Sequence, residues 1–152
     1  MEMAQLEVVV EGDSVLRQTA QPVKRVTKRL VTLIKDMGET MYAANGVGLA
    51  APQVGESIRV IVVDPGDGLI AVVNPVITAG SGEDIEVEGC LSIPGVSGYV
   101  QRFARVEVDG LNEKGRPIRI QADGLLARIL QHEIDHLDGI LFIDKATCLS
   151  QD

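Results

Sequence analysis

The chain has 152 residues, 45% of them hydrophobic and 24% charged, a balance expected of one globular domain large enough to bury a core. A net charge of −8, 3% aromatic residues and the lack of Trp speak against a broad nucleic-acid face or a platform for stacked bases. No stretch is long and apolar enough to span a membrane, and residues 1–10 lack the pattern of a secretory signal. Two cysteines are too few for a disulfide framework, so a reducing, cytoplasmic setting is expected, and the net charge of −8 with no obvious apolar tail makes a monomer the default.

Residues 6–10 form a short apolar run, expected as a strand or a packed extended arm, before a turn at Gly12-Asp13-Ser14. From residue 24 to residue 44, Val26, Leu30, Leu33, Ile34, Met37 and Met41 recur at helical spacing, with a stop at Asn45-Gly46. The one basic run, Lys24, Arg25, Lys28 and Arg29, reads as the solvated face of this helix. Residues 46–53 (GVGLAAPQ) superficially fit a dinucleotide fingerprint, but a helix precedes them and Pro52 follows, the reverse of the required context. A tight loop of small residues that lets another backbone approach is expected instead. Strands are expected at 57–64 and 69–73, the second ended by Asn74-Pro75, then at 85–88. A hairpin follows at 105–109 and 117–121, then a helix over 125–137, with 140–143 as a last strand. The sum is an α+β fold: an N-terminal helix, and mostly antiparallel strands packed around a C-terminal, metal-binding helix.

That last helix carries the chemistry. It contains H-E-x-x-H as His132, Glu133 and His136, and these are the only two histidines of the chain. Four residues of helix turn through about 400°, so the two imidazoles stand about 40° apart on one face and can grip one metal ion. Glu133 is placed to act as general base. The flanking Leu125, Leu126, Ile129, Leu130, Ile134 and Leu137 mark the helix as mostly buried, where two histidines and a carboxylate need partners. A catalytic metal takes three protein ligands and keeps one position open. The downstream Glu of one peptidase layout is missing, since no Glu follows Glu133, and position 142 is Phe where another layout has His. An upstream carboxylate or a cysteine remains. Cys90, in Glu88-Gly89-Cys90-Leu91-Ser92, is favoured over Cys148, which has no organised motif around it. A thiolate suits iron or zinc better than magnesium or calcium.

Taken together, GVGLAAPQ at 46–53, EGCLS at 88–92 and HEIDH at 132–136 resemble the three signature motifs of the peptide deformylase family. The similarity runs from about Gly12 to Asp144. The resemblance implies a single catalytic domain over residues 1–152 that removes the formyl group from N-terminal formyl-methionine of new polypeptides, releasing formate. It implies one divalent ion, Fe²⁺ in many members, with Zn²⁺, Ni²⁺ or Co²⁺ able to replace it, held by Cys90, His132 and His136. Glu133 would carry the proton, while the Gln53 side-chain amide and the Leu91 backbone N–H would donate to the developing oxyanion. Ile129, with Val47 and Leu125, is expected to line the methionine pocket. The peptide would run extended beside Val47 and Gly48 and close to Gly89. Glu88 is expected to pair with Arg102 and brace the Cys90 loop.

Formyl-methionyl nascent peptides and the ribosome are the partners implied. Many members continue past the metal helix into a tail linked in some to ribosome docking, whereas this chain stops at Asp152, which leaves the manner of contact open. Ser97 stands where some members carry an Arg near the substrate, leaving preference beyond formyl-methionine open as well. Two other readings compete: a different H-E-x-x-H peptidase, which the missing downstream ligand disfavours, and a non-catalytic metal-binding or ribosome-associated module, which intact Glu133, Gln53 and Cys90 disfavour.

Overall fold

The structure, a computed structural model, describes residues 5–151. Helix α1 (Lys28–Ala43) starts where the Thr27 hydroxyl accepts the Leu30 N–H at 3.2 Å. The expected start at residue 24 was therefore four residues early. The helix buries Leu30, Ile34, Met37 and Met41, the expected apolar stripe, and the chain leaves it through Asn45 at φ 57°. Lys24, Arg25, Lys28 and Arg29 are all exposed, as a solvated face should be.

Among the described residues, eight strands form two antiparallel sheets. The first has the order β1 (Gly48–Ala50), β2 (Val60–Val63), β3 (Ile70–Ser81), β6 (Arg105–Leu111) and β7 (Pro117–Asp123). The second is β4 (Asp84–Cys90), β5 (Ile93–Arg102) and β8 (Thr147–Gln151). Strand β2 explains the unbroken apolar run at its position. Val60 and Val62 pack on α1, while Ile61 and Val63 join the core built on α2 (Gly124–Leu137), which supplies Ile129, Leu130, Ile134 and Leu137. All four β2 side chains are buried because a helix covers each face of the sheet. Each such side chain contributes roughly 1.5–3 kcal/mol on burial.

Four expectations need correction. Gly48–Ala50, expected within a loop, is the edge strand β1, and only Ala51–Val54 forms a 3₁₀ turn. Asn74-Pro75 does not end β3. Asn74 sits at φ 54° in a register shift, and its side-chain amide exchanges two 2.8 Å hydrogen bonds with the Val23 backbone, replacing the missing ladder. Strand β5 went unrecognised because Pro94, Gly95, Ser97 and Gly98 read as turn formers. Gly98 is small for a packing reason: a Cβ there would lie 2.9 Å from both Ala146 Cβ and Leu149 Cδ2. Residues 140–143 are not a strand; Phe142–Asp144 is a 3₁₀ turn, and the last strand is β8. The 6–10 run is an extended arm, with Val9 N–H donating to the Gln53 carbonyl at 2.8 Å.

Helix α2 ends in a Schellman arrangement: Gly139 N–H donates to the His136 carbonyl and Ile140 N–H to the Asp135 carbonyl. Gly139 has φ 74°, and a Cβ there would lie 2.7 Å from the Arg17 carbonyl oxygen. Gly139→Ala is therefore expected to cost about 1–3 kcal/mol, read as a lower urea midpoint with an unchanged slope.

Candidate metal centre

The second sheet and helix α2 meet at one point. Cys90 closes β4, and His132 and His136 come from α2, so the three expected ligands arrive from two independent elements. Their ligand atoms lie within 4.8 Å of one another, with Cys90 Sγ 3.4 Å from His136 Nε2. His132 Nδ1 lies 2.8 Å from Glu88 Oε1, which leaves its Nε2 for the centre. One thiolate and two imidazoles match the donor preference of iron or zinc. Beside them, Glu133 Oε1 is buried with no hydrogen-bond partner, as expected where a ligand bound to an ion completes a site. The residues fit a metal.

The expected Glu88–Arg102 pair is present and is the centre of a larger buried network. Arg102 donates to both Glu88 oxygens at 2.8 Å and to Asp135 Oδ2 at 2.6 Å. Arg128, four residues before His132, donates to Glu88 Oε2, to the Val100 carbonyl at 3.0 Å and to the Asp84 carbonyl at 2.8 Å. Lys145 reaches Asp135 from the chain beyond the helix. Arg128 and Asp135 were not singled out from the sequence. A charged residue among the apolar positions of a buried helix was the available signal for Arg128.

The charges follow from these contacts. Burial pushes the Glu88 carboxyl up, but the hydrogen bonds and charges of Arg102 and His132 outweigh it and hold the group well below the usual carboxylate range. Burial would lower the His132 imidazole; Glu133, Cys90 and Glu88 around it win and raise it to about 10. The same anionic surroundings favour a metal cation. Burial, reinforced by the Glu88 and Asp135 charges against those of His132 and Arg102, raises Glu133 to about 7. His136 falls to about 3, through burial and then the charges of His132, Arg102 and Arg17.

The centre opens into a cleft of about 460 Å³. Gln53, Leu91 and Glu133 line it with Cys90 and His132, while His136 sits behind, 1% exposed. Gln53 is also 1% exposed: its Oε1 accepts the Ala50 N–H at 2.9 Å, and its Nε2 donates to Ser92 Oγ at 3.1 Å and faces Cys90 Sγ at 3.5 Å. The five residues expected near substrate, Val47, Gly48, Gly89, Leu125 and Ile129, all line the same cleft. Leu125 stands exposed at its rim, so it is not a core residue, whereas Ile129 is buried. Gly48 lets β1 touch α2, because a Cβ there would lie 2.5 Å from Glu133 Oε2 and 2.7 Å from Ile129 Cγ2.

Removing the central carboxylate leaves buried guanidinium groups uncompensated. Glu88→Ala is expected to cost about 3–5 kcal/mol in chemical denaturation; a loss below about 1 kcal/mol would show that water takes over the carboxylate's place. In the wild type, the folded pKa of Glu88 lies below its ordinary 4.5. The stability it contributes is therefore present above about pH 5 and fades as pH falls.

Comparison with known proteins agrees with this geometry. A family model for polypeptide deformylase matches residues 5–152. The peptide deformylase of Carboxydothermus hydrogenoformans is 56% identical over 144 residues, 95% of either chain. That of Halothermothrix orenii is 55% identical over 152 residues, 99% of either chain. The crystal structure of peptide deformylase from Thermotoga maritima matches with a TM-score of 0.93 at 42% identity, over 95% of this chain and 99% of its own. Motifs, fold, ligand cluster and relatives agree, and the chain belongs to the peptide deformylase family, metal-dependent enzymes that remove the N-formyl group from nascent polypeptides.

Proposed function

We propose that Cys90, His132 and His136 hold one divalent ion, and that Glu133, Gln53 and Leu91 perform the deformylation beside it. The observation that carries this reading is the convergence of the three ligand atoms within 4.8 Å at a cleft lined by Glu133 and Gln53. A metal held there supplies Lewis acidity, lowering the pKa of water and polarising the formyl carbonyl. Fe²⁺ is the ion proposed, with Zn²⁺, Ni²⁺ and Co²⁺ as alternatives; the sulfur and nitrogen donor set supports this group over Mg²⁺ or Ca²⁺.

Glu133 takes the proton of the attacking water and passes it to the departing amine nitrogen as the C–N bond breaks and formate leaves. Its burial keeps that proton from being lost to solvent. The Gln53 Nε2–H and the Leu91 backbone N–H donate to the formyl oxygen as negative charge builds, each worth roughly 10²–10³ in rate. Strand β1 pairs with β2 on one side only, so its other edge is available to an extended peptide beside Val47 and Gly48, with Gly89 across the cleft. Ile129, Leu125 and Val47 give the methionine side chain apolar walls. We propose further that residues 1–152 act as one catalytic domain, as a monomer in the cytoplasm, meeting nascent chains at the ribosome. The bacterial relatives and the absence, among the described residues, of a helix able to cross a membrane support that setting.

Protein purified anaerobically and loaded with Fe²⁺ is expected to release formate from a formyl-Met tripeptide, and Glu133→Ala to release almost none. Formate from the variant at the wild-type rate would remove Glu133 from the mechanism. Reloading the stripped protein with each of the four ions and comparing kcat/KM tests the choice of metal. Ile129→Trp fills the pocket and is expected to lower kcat/KM for the same peptide by about tenfold or more; unchanged kinetics would refute the pocket assignment.

A further inference from the structure

The cations of this acidic chain fall into two groups. Arg17, Arg59, Arg102, Arg119, Arg128 and Lys145 each reach a carboxylate. Lys24, Arg25, Lys28, Arg29, Lys114 and Arg116 form no ion pair among the described residues, and all six are exposed. They belong to two distant segments, the run that leads into α1 and the turn between β6 and β7. The fold joins these segments: a Cβ on Gly115, which stands between Lys114 and Arg116, would lie 3.7 Å from Val26, which stands between Arg25 and Lys28. Lys28 and Arg29 also open α1, whose first turn holds no acidic residue, so they sit at the positive pole of a 16-residue helix. Cations there cost stability, and an anion set against them offsets that cost. Glu56 lines a groove with Arg25 and Arg29, and Glu113 lies in the β6–β7 turn; the two offset only part of the positive charge.

We infer that this patch docks on the phosphate backbone of folded RNA, as the ribosome presents it. This rests on the proposed function, since ribosomal RNA is what the enzyme meets beside a nascent chain. The net charge of −8 speaks against a broad nucleic-acid face but not against a confined one. An acidic body with a single basic patch is turned by the field of a polyanion until the patch faces it. The contacts are indifferent to base sequence, because no aromatic residue lies in 23–30 or 112–117 to stack a base. A membrane surface fits less well: Val23 and Val26, the apolar residues of the basic run, pack against the core beneath α1 and are not offered for insertion. The placement also suits the task. The patch lies at the start of α1, and the cleft begins at Asn45, just past its end, so the 16 residues of the helix set the two about 24 Å apart. RNA held at one end leaves the cleft open at the other.

The test uses the full-length, metal-loaded protein and a fluorescent RNA duplex of about 20 base pairs, read by anisotropy. Lys28→Ala with Arg29→Ala, and Lys114→Ala with Arg116→Ala, each remove two charges from the patch. Arg105→Glu makes the same change in net charge at the far end of β6. At about 50 mM salt, wild type is expected to bind duplexes of unrelated sequence alike, with affinity falling about tenfold or more by about 150 mM. Each patch variant is expected to weaken binding by about fivefold or more, and Arg105→Glu by less than about twofold. Co-sedimentation with purified bacterial ribosomes is expected to follow the same order. All three variants are expected to keep the wild-type kcat/KM on a formyl-Met tripeptide, which shows that they are folded. Equal weakening by Arg105→Glu would reduce the effect to overall charge and overturn the inference. So would a wild type that binds neither duplex nor ribosome at about 50 mM salt, one that binds the duplex but not the ribosome, or one that binds phosphatidylserine vesicles in place of RNA. Failure of wild type to release formate would instead count against the deformylase assignment of the cleft, while the anisotropy would still decide the role of the patch.

Discussion

The structure depends on one buried carboxylate. Glu88 lies on the second sheet, two residues before the thiol ligand, and its oxygens bind Arg102 on β5 and Arg128 and His132 on α2. The ligands Cys90 and His132 belong to elements far apart in sequence, and this carboxylate is the polar link that sets one against the other. Replacing such a cluster with well-packed apolar residues is often neutral or stabilising, so its presence is better understood as fixing geometry than as adding stability. One anion flanked by two guanidinium groups and an imidazole would carry excess positive charge. Asp135 and Asp84 offset it from either side.

The site lies where the separate cores meet. The first sheet brings β1 and, just after it, Gln53; the second sheet brings Cys90; and α2 runs between them with the imidazoles and Glu133. The groups that hold the metal stand on a strand end and a helix. The groups assigned to the oxyanion stand on short turns tied down by backbone bonds, as where Val9 N–H holds the Gln53 carbonyl and Glu11 N–H holds that of Ser92. Such ties would keep the proposed donors aimed before substrate arrives, the condition for electrostatic stabilisation without reorganisation during the reaction.

The H-E-x-x-H spacing, Cys90 as the favoured companion of the two histidines and the apolar stripe of α1 were legible because each follows from local periodicity or donor chemistry. Strand β5 was not, because Gly98 serves β8, a neighbour far along the chain, and looks like a turn former when read locally. Asn74 misled for a related reason: a residue that ends strands by propensity is rescued by a side-chain bond to Val23, 51 positions away. Arg128 was passed over because a single charge in a buried helix gains meaning only when its partners on β4 and β5 are in view.

The position of both histidines at one centre has a practical consequence for solution work. With only two imidazoles in the chain, every histidine resonance in a magnetic resonance spectrum originates at the candidate metal centre. The two rings also differ in their outer contacts: His132 Nδ1 is tied to Glu88, and His136 Nδ1 has no such tie. Two unlike signals are thus available, and exchange of one ion for another, oxidation of the thiolate or entry of an inhibitor can each be followed there without labelling or assignment of the rest of the protein.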